Sequence, residues 1–584
     1  MPKKIYKLKE GKFDFLKFDP LNVVIFVIFS FCLFLIYNLY QIQVIDGEKY
    51  SEIVIAQNKG YFTNKVENRG NIYFQNKNNV AGVAMQNFGY TLALVPKNLK
   101  NSEKVFEELN SVLDIDKDKF FRLANKKDDP YEELKTRISD EDAKKIIKKQ
   151  LKGVILVRES WRVYPFNDIA SKIIGFLDYE GTGKYGLEKQ YDDVLKRGDV
   201  TKSKRIFDLF FQKKDIKKIL SQKKISKEGN LISSIDIETS IAIEKILLDI
   251  DERYNSEYSA AIIIKPESGE IVAMVDTKYG KLDFNKETKH YKNIFVENRY
   301  EFGSIFKPLV VAIGLEEGVI TEDFSYNDKG CVKISKYNLC NFDGKGRGKN
   351  VSLQTVLTKS LNTGMIEIEK KIGHKNFLDF LLKVGVAEET NIDLSGEVSS
   401  NISSLNSFNN VNYATASYGQ GISFTPIAIL RSLSSLANGG FLVDPHVIKK
   451  IDYGDLIPEV KFETEKKKVF SSETANKIEK FLSNRADELD TRYLDKNYSV
   501  ATKTGTAQVA DKKGGYYEDK YLHSIFGFFP VNAKPEDRFA ILLFTLEPKN
   551  VRYAVYSLTK PFYEIVSFLT SYYQVKPDRA KLSF

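Results

Sequence analysis

A serine hydroxyl is a weak nucleophile until a neighbouring base takes its proton. In this sequence the base at hand is lysine. The 584 residues hold only 4 His, at positions 290, 374, 446 and 523, and no G-x-S-x-G segment that would lift a serine onto a strand-to-helix elbow. Lysine can serve once burial or neighbouring cations lower its pKa. On a helix, positions i and i+3 share a face with Cβ atoms about 5–6 Å apart. At a helix start the free N–H groups can also stabilise an oxyanion. Ser-x-x-Lys occurs at Ser221/Lys224, Ser304/Lys307 and Ser557/Lys560. Ser221 lies in a basic stretch, and Ser557 reads as part of a polar turn before Pro561. Ser304 follows Gly303 and precedes the apolar run 308–315, so a helix is expected to start just before Ser304 with Pro308 in its first turn.

Two further elements could complete such a site. Ser360-Leu361-Asn362 closes an apolar-periodic stretch over 353–357, where a hydroxyl could relay a proton and the Asn362 amide could hold both a substrate amide and the lysine. Ser325-Tyr326-Asn327, Ser404-Leu405-Asn406 and Ser407-Phe408-Asn409 have the same spacing; the last two lie in a polar loop where Ser and Asn are ordinary turn residues. Lys503-Thr504-Gly505-Thr506 occurs once, at the end of an expected strand over 498–504. A cation and hydroxyls on an edge strand suit a carboxylate. Gly505 lets another backbone come close, and an edge strand can pair with an extended peptide. No His-x-x-x-His or Cys-x-x-Cys spacing occurs, so neither a metal nor a cofactor is expected.

These residues must be positioned by larger elements. Hydrophobic residues make up 42% and aromatics 12%, enough for packed cores, and the length suits two to four domains. The balance of 88 Lys+Arg against 78 Asp+Glu permits an anionic partner but does not require one. Residues 20–45 carry no charge, and Lys3, Lys4, Lys7, Lys9, Lys12 and Lys17 precede them. About 20 apolar helical residues span a bilayer, and the lysines keep the N-terminus cytoplasmic. The expectation is an uncleaved single-pass anchor over 21–42 after a cytoplasmic tail 1–20, in the inner (cytoplasmic) membrane, with the bulk of the chain periplasmic or otherwise extracytoplasmic. Nucleic acid is not an expected partner. Cys331 and Cys340 flank a short hairpin; a disulfide across it and two free thiols both fit.

After the anchor the sequence reads as two blocks. The first, 43–230, mixes short strands, as at 90–95 and 154–158, with a helical stretch at 140–152. It ends in a basic connector over 201–229, read as a solvated link. The second, 231–575, opens with a helix ending near Tyr254, followed by a hairpin of 260–265 and 270–275 turned by Pro266-Glu267-Ser268-Gly269. Strands return at 523–529 and 539–546, with a mostly helical middle between. This is an α+β domain with a central antiparallel sheet flanked by helices; a tail, 576–584, ends the chain.

The three elements in this order resemble the penicillin-recognising serine transpeptidases. Tyr300-Glu301-Phe302-Gly303-Ser304-Ile305-Phe306-Lys307-Pro308 is similar to the family's Y-E-P-G-S-x-F-K-P, with Phe302 in place of proline, read as a local packing change. Asp393-Leu394-Ser395-Gly396-Glu397, Tyr418-Gly419-Gln420-Gly421-Ile422, Asn438-Gly439-Gly440 and Ser524 to Phe528 also match. Arg69-Gly70-Asn71-Ile72, Arg162, Tyr164, Pro165, Gly175 and Gly186-Leu187-Glu188 resemble the pedestal (dimerisation-type) module of class B penicillin-binding proteins. The resemblance implies a peptidoglycan D,D-transpeptidase. Ser304 would attack the D-Ala-D-Ala donor, Lys307 would take its proton, and Ser360 and Asn362 would relay the proton and orient the donor. Lys503, Thr504, Gly505 and Thr506 would bind the terminal carboxylate, and the Ser304 and Thr506 N–H groups would form the oxyanion hole. β-Lactams would acylate Ser304, and an amine acceptor would resolve the acyl-enzyme. Ser-x-Asn followed by Thr363-Gly364-Met365 favours the division-specific septal type over the elongation type. The implied partners are a polytopic glycosyltransferase of the shape, elongation, division and sporulation family and other division proteins. A hydrolytic carboxypeptidase or β-lactamase, a β-lactam receptor and a catalytically idle division scaffold are the rivals. The hydrolytic enzymes normally lack this anchor and pedestal, a receptor would normally have several membrane spans and a cytoplasmic protease, and the intact triplets argue against the scaffold.

Overall fold

The computed structural model describes residues 20–41, 69–127, 129–178, 180–196, 228–278, 292–407, 409–454, 460–462, 464–511 and 513–579. The lysine-rich start, the beginning of the expected pedestal, nearly all of the basic connector with Ser221/Lys224, and the last residues of the tail lie outside these. Pro20–Tyr40 is a 21-residue helix. Its described side chains from Phe26 to Tyr40 are exposed, apart from half-buried Asn38. Among the described residues no helix is long and apolar enough to cross a membrane.

Beyond that helix the described chain forms two units. One contains Phe88–Trp161. Its helices Ser102–Asn110, Lys117–Ala124 and Asp140–Lys148 are capped by the side chains of Asn101, Asp116 and Ser139, each accepting from a backbone N–H in the first turn. Their apolar faces close a small core around Leu92, Leu109, Phe120, Leu134 and Ile146. The strand expected over 90–95 is the end of a longer one, Asn79–Leu94, and the helix expected over 140–152 stops at Lys148.

The other unit comprises Asn68–Asn87 and Arg162–Phe584. The scattered motif residues of the first sequence block meet here. Glu188, fully buried, binds Arg69 at 2.6 Å and Arg162 at 2.7 Å, and Arg69 also reaches Asp192 at 2.8 Å. A buried carboxylate is tolerated because two guanidinium groups pair with it.

The centre of this unit is a five-stranded, wholly antiparallel sheet. Its order is Ala501–Ala510, Tyr516–Phe529, Phe539–Leu546, Tyr258–Ile264, Ile271–Asp276. The period of two sorts its side chains. Ala260, Ile262 and Ile264 face the larger core, which holds Ile305, Phe306 and Leu309. Ala261 and Ile263 face the opposite core, with Leu247 of the helix Ile237–Tyr254 and Phe562 of the helix Ala554–Tyr572. Helices thus cover both faces, as an α+β domain requires.

Three local expectations change. The strand bearing Lys503 does not end there: it begins at Ala501 and continues to Ala510, because Tyr516–Phe529 pairs with it along that length. Ser557 is not in a turn but inside the helix Ala554–Tyr572, which also contains Pro561; buried Leu558, Phe562, Ile565 and Leu569 hold that helix to the sheet despite the proline. Ser304 sits in a 3-10 turn, Gly303–Phe306, and the α-helix proper begins at Lys307 with Pro308 in its first turn.

Candidate active site

Ser304 is placed by a tight turn that favours glycine. Gly303 has φ +59°, donates its N–H to the Gly419 carbonyl at 3.1 Å, and lies so close to the edge strand that a Cβ there would meet the Thr506 carbonyl at 3.2 Å. Phe302, the residue at the family's proline position, is fully buried and packs edge-on against Tyr300 and Phe544, at 5.9 and 5.6 Å between ring centroids. Its carbonyl accepts from the Ser524 hydroxyl at 3.0 Å, which ties the turn to the sheet. Gly505 completes that approach: a Cβ there would stand 2.5 Å from the Phe302 carbonyl oxygen.

One helical turn after Ser304, Lys307 is fully buried. Its Nζ lies 2.6 Å from the Ser360 carbonyl, 2.8 Å from Asn362 Oδ1 and 3.2 Å from Ser360 Oγ. Ser360 occupies the turn between the helices Leu353–Thr358 and Asn362–Ile372 with φ +55°, a left-handed conformation that brings its carbonyl and hydroxyl to the lysine. Asn362 donates its other amide end to the Cys340 carbonyl at 3.0 Å. Cys340 closes a two-stranded hairpin in register with Cys331, and the two form a disulfide. Behind the hairpin, buried Asp328 accepts from Thr363 Oγ1 at 2.8 Å and from Asn341 Nδ2 at 3.0 Å, fixing the start of the Asn362 helix.

Lys503 enters from the edge strand. Its Nζ lies 2.8 Å from Ser360 Oγ and 2.8 Å from the Thr504 carbonyl. One hydroxyl therefore stands between two buried amines. Burial holds the Lys307 amine well below its ordinary pKa. Burial lowers that of Lys503 too, reinforced by the positive charges of Lys307 and Arg485 and opposed by Asp490. A neutral amine has two N–H donors and a lone pair. Once neutral, Lys307 would donate to the Ser360 carbonyl and Asn362 Oδ1 and keep a lone pair to receive a hydroxyl proton.

Ser304, Ser360, Asn362, Thr504 and Thr506 line a cavity of about 590 Å³, with Tyr418 and Gln420 also on its wall; Lys307 and Lys503 are buried and are not on that wall. Ser304 is partly exposed, so its hydroxyl is accessible. Among the described residues no Asp or Glu lines this cavity. The sequence thus predicted a set that the fold brings together: Ser304, Lys307, Ser360, Asn362 and Lys503 through Thr506. Ser557 is not part of it; its hydroxyl lies 2.8 Å from His523 Nδ1.

Sequence reasoning missed the support behind Lys503. Arg485, 1% exposed, pairs with Asp490 at 2.6 Å and also hydrogen-bonds Thr502; Asp490 accepts from Thr502 at 2.8 Å and from Tyr563 at 3.2 Å. The available signal was an arginine on the apolar stripe that Ile478 and Leu482 set in the helix Ser472–Leu489. The Asp328–Asn341–Thr363 cluster has no comparable local signature.

The family model for the penicillin binding protein transpeptidase domain matches residues 259–566, and that for the penicillin-binding protein dimerisation domain matches residues 65–208. The chain is 30% identical over 458 residues to stage V sporulation protein D of Bacillus subtilis, covering 76% of this chain and 69% of that one. It is 25% identical over 571 residues to the peptidoglycan D,D-transpeptidase FtsI of Buchnera aphidicola subsp. Baizongia pistaciae, covering 92% and 94%. Among solved structures its fold is similar to that of penicillin binding protein 2X from Streptococcus thermophilus, with a TM-score of 0.71, 19% identity and coverage of 87% and 80%. A peptidoglycan synthetase from Bifidobacterium adolescentis gives a TM-score of 0.68, 21% identity and coverage of 88% and 97%.

Proposed function

The chain belongs to the penicillin-binding protein transpeptidase family, as a class B, FtsI-like member, and from that premise we propose how its site cross-links peptidoglycan. Ser304 Oγ attacks the carbonyl of the penultimate D-Ala of a stem peptide while the lone pair of Lys307 takes its proton. The oxyanion is held by the backbone N–H groups of Ser304 and Thr506. The C–N bond breaks, the departing D-Ala amine receives a proton through Ser360, and an ester on Ser304 remains. An amine of a second stem peptide attacks that ester, gives up a proton along the same route, and frees Ser304 with a new amide formed. Lys503, Thr504 and Thr506 bind the terminal carboxylate of the donor, and Asn362 orients its amide.

The single observation that carries this reading is a lysine buried without an acid partner among the described residues, one turn from a partly exposed serine and hydrogen-bonded to Ser360 and Asn362. A cavity wall without carboxylates supports aminolysis over hydrolysis, since it offers no obvious group to activate water. The test is covalent. Fluorescent penicillin should label the wild-type chain and add its mass to the peptide containing Ser304, and Ser304→Ala should abolish the label. Labelling that survives Ser304→Ala overturns the assignment.

The place of action is part of the same proposal. The uncharged run 20–45 after six lysines supports an inner-membrane anchor with the catalytic unit outside the cytoplasm. Ser360-Leu361-Asn362-Thr363 and the FtsI relatives support septal wall synthesis beside a polytopic glycosyltransferase and other division proteins. The similarity to a sporulation protein supports a second reading, cross-linking of a spore wall. Depletion giving filamentous cells upholds the septal reading; normal division with defective spores upholds the second, and rounded cells indicate elongation.

A further inference from the structure

The catalytic reading leaves one cation on the cavity wall without a task. Among the described lining residues the cations are Arg347, Lys359, Arg485 and Arg552. Three are neutralised: Arg347 by Asp343, through two bonds of 2.9 Å, Lys359 by Glu488 at 2.8 Å, and Arg485 by Asp490 at 2.6 Å. Arg552 is exposed and has no ion pair with any described residue, while its backbone is held in place. Its carbonyl lies 3.1 Å from His523 Nε2, and the N–H of Ala554 donates to Thr506 Oγ1 at 3.0 Å. His523 is the cross-strand partner of Thr506, so this loop is pinned twice to the strand pair that carries the Lys-Thr-Gly-Thr segment. The guanidinium lies 5.5 Å from the Tyr553 ring centre, and Tyr553 meets Phe342 edge-on at 5.5 Å across the cavity. Phe342 is 51% exposed.

We propose that Arg552, with Tyr553 and Phe342 beside it, is a second carboxylate subsite, which binds a side-chain carboxylate of a stem peptide, distinct from the terminal carboxylate bound at Lys503 and Thr504. Guanidinium groups bind carboxylates bidentately, and the two rings offer apolar contact to the methylene chain that carries such a group. Where the third residue of the stem is a diamino acid with a carboxylate beside its distal amine, the chemistry fits; lysine lacks that group. This proposal rests on the transpeptidase reading.

The experiment uses the full-length chain in detergent and two pairs of synthetic peptides. In the donor arm, D-Ala-D-Ala pentapeptides with diaminopimelate at position three, its side-chain carboxylate free or amidated, are turned over with hydroxylamine as acceptor. In the acceptor arm, one lysine-containing donor is combined with tripeptides ending in diaminopimelate, free or amidated at the same carboxylate. Wild type should prefer the free carboxylate in one arm by about tenfold or more; that arm identifies the strand bound. Arg552→Gln should erase the preference and Arg552→Lys should retain part of it. No preference in either arm, or one that survives in Arg552→Gln, overturns the subsite. Failure of wild type to be acylated by penicillin at Ser304 would instead overturn the underlying transpeptidase reading.

Discussion

The Asn362 amide donates to the Cys340 carbonyl at 3.0 Å, and this contact decides which end of the amide faces Lys307. With the N–H end engaged by the hairpin, Oδ1 is left to accept from the lysine at 2.8 Å. The amine is thereby rotated so that its lone pair is not spent on Asn362. Asn362→Ala should slow acylation by penicillin by about a hundredfold, since orienting a general base contributes on that scale. A stopped-flow acylation rate within threefold of wild type would show that Ser360 alone sets the lysine.

Burying the Lys307 amine costs stability. Its folded pKa lies well below the ordinary 10.5. Between those two values the unfolded chain binds a proton there that the folded chain does not, so stability rises with pH across that window. Lys307→Met should therefore raise the melting temperature at pH 7 by a few degrees while abolishing acylation. The gain should shrink as pH approaches 10.5. Melting curves of both proteins at pH 7 and pH 10 decide this; a difference that does not change with pH contradicts a neutral lysine. Acylation itself should fall on the acid side, as the Lys307 amine becomes protonated.

Asp490 has the opposite sign. It is the carboxylate paired with buried Arg485 and the acceptor for Thr502 and Tyr563. Asp490→Ala leaves a guanidinium buried without its anion, so a loss of about 3–5 kcal/mol in a denaturant titration is expected. A loss below about 1 kcal/mol, in the range of exposed pairs, would mean that water reaches Arg485 freely.

Gly505→Ala tests the seam between the edge strand and the serine turn. The new Cβ would lie 2.5 Å from both the Phe302 carbonyl oxygen and Ser524 Oγ. One side of the seam must move, and both flank the cavity. Acylation should drop by about a hundredfold or more, because small misplacements at a reacting centre cost on that order. An unchanged rate would mean that the seam relaxes without disturbing Ser304.

What the sequence disclosed follows from how far each signal extends along the chain. Ser304/Lys307 separated from its two decoys because glycine on one side and an apolar run on the other mark a turn entering a buried helix. The hairpin around Pro266–Gly269 and the strand Phe539–Leu546 carried local patterns of the right period. Polar Thr504, Thr506 and Gln508 interrupt the apolar pattern of the Lys503 strand, so its local signal stops short of Ala510; in the fold that polar side lines the cavity. The helix around Ser557 was hidden by Pro561, whose cost is offset by tertiary packing no local window contains. Arg485, Asp490, Asp328 and Arg552 are single residues whose roles come from partners distant in sequence. Both thiol pairing and free thiols fitted Cys331 and Cys340 until cross-strand register placed them opposite one another.

The charge of the groove wall reaches beyond contact. Of the cations on it only Arg552 has no ion pair with a described residue, so the field that extends outward, over a Debye length of about 8 Å at physiological ionic strength, is that of one guanidinium. A carboxylate is drawn toward that guanidinium over that range, and a protonated amine is repelled by it. A nucleophile that must arrive as a free base is thus filtered at the entrance, and dissolved salt sets how far from the protein that sorting begins.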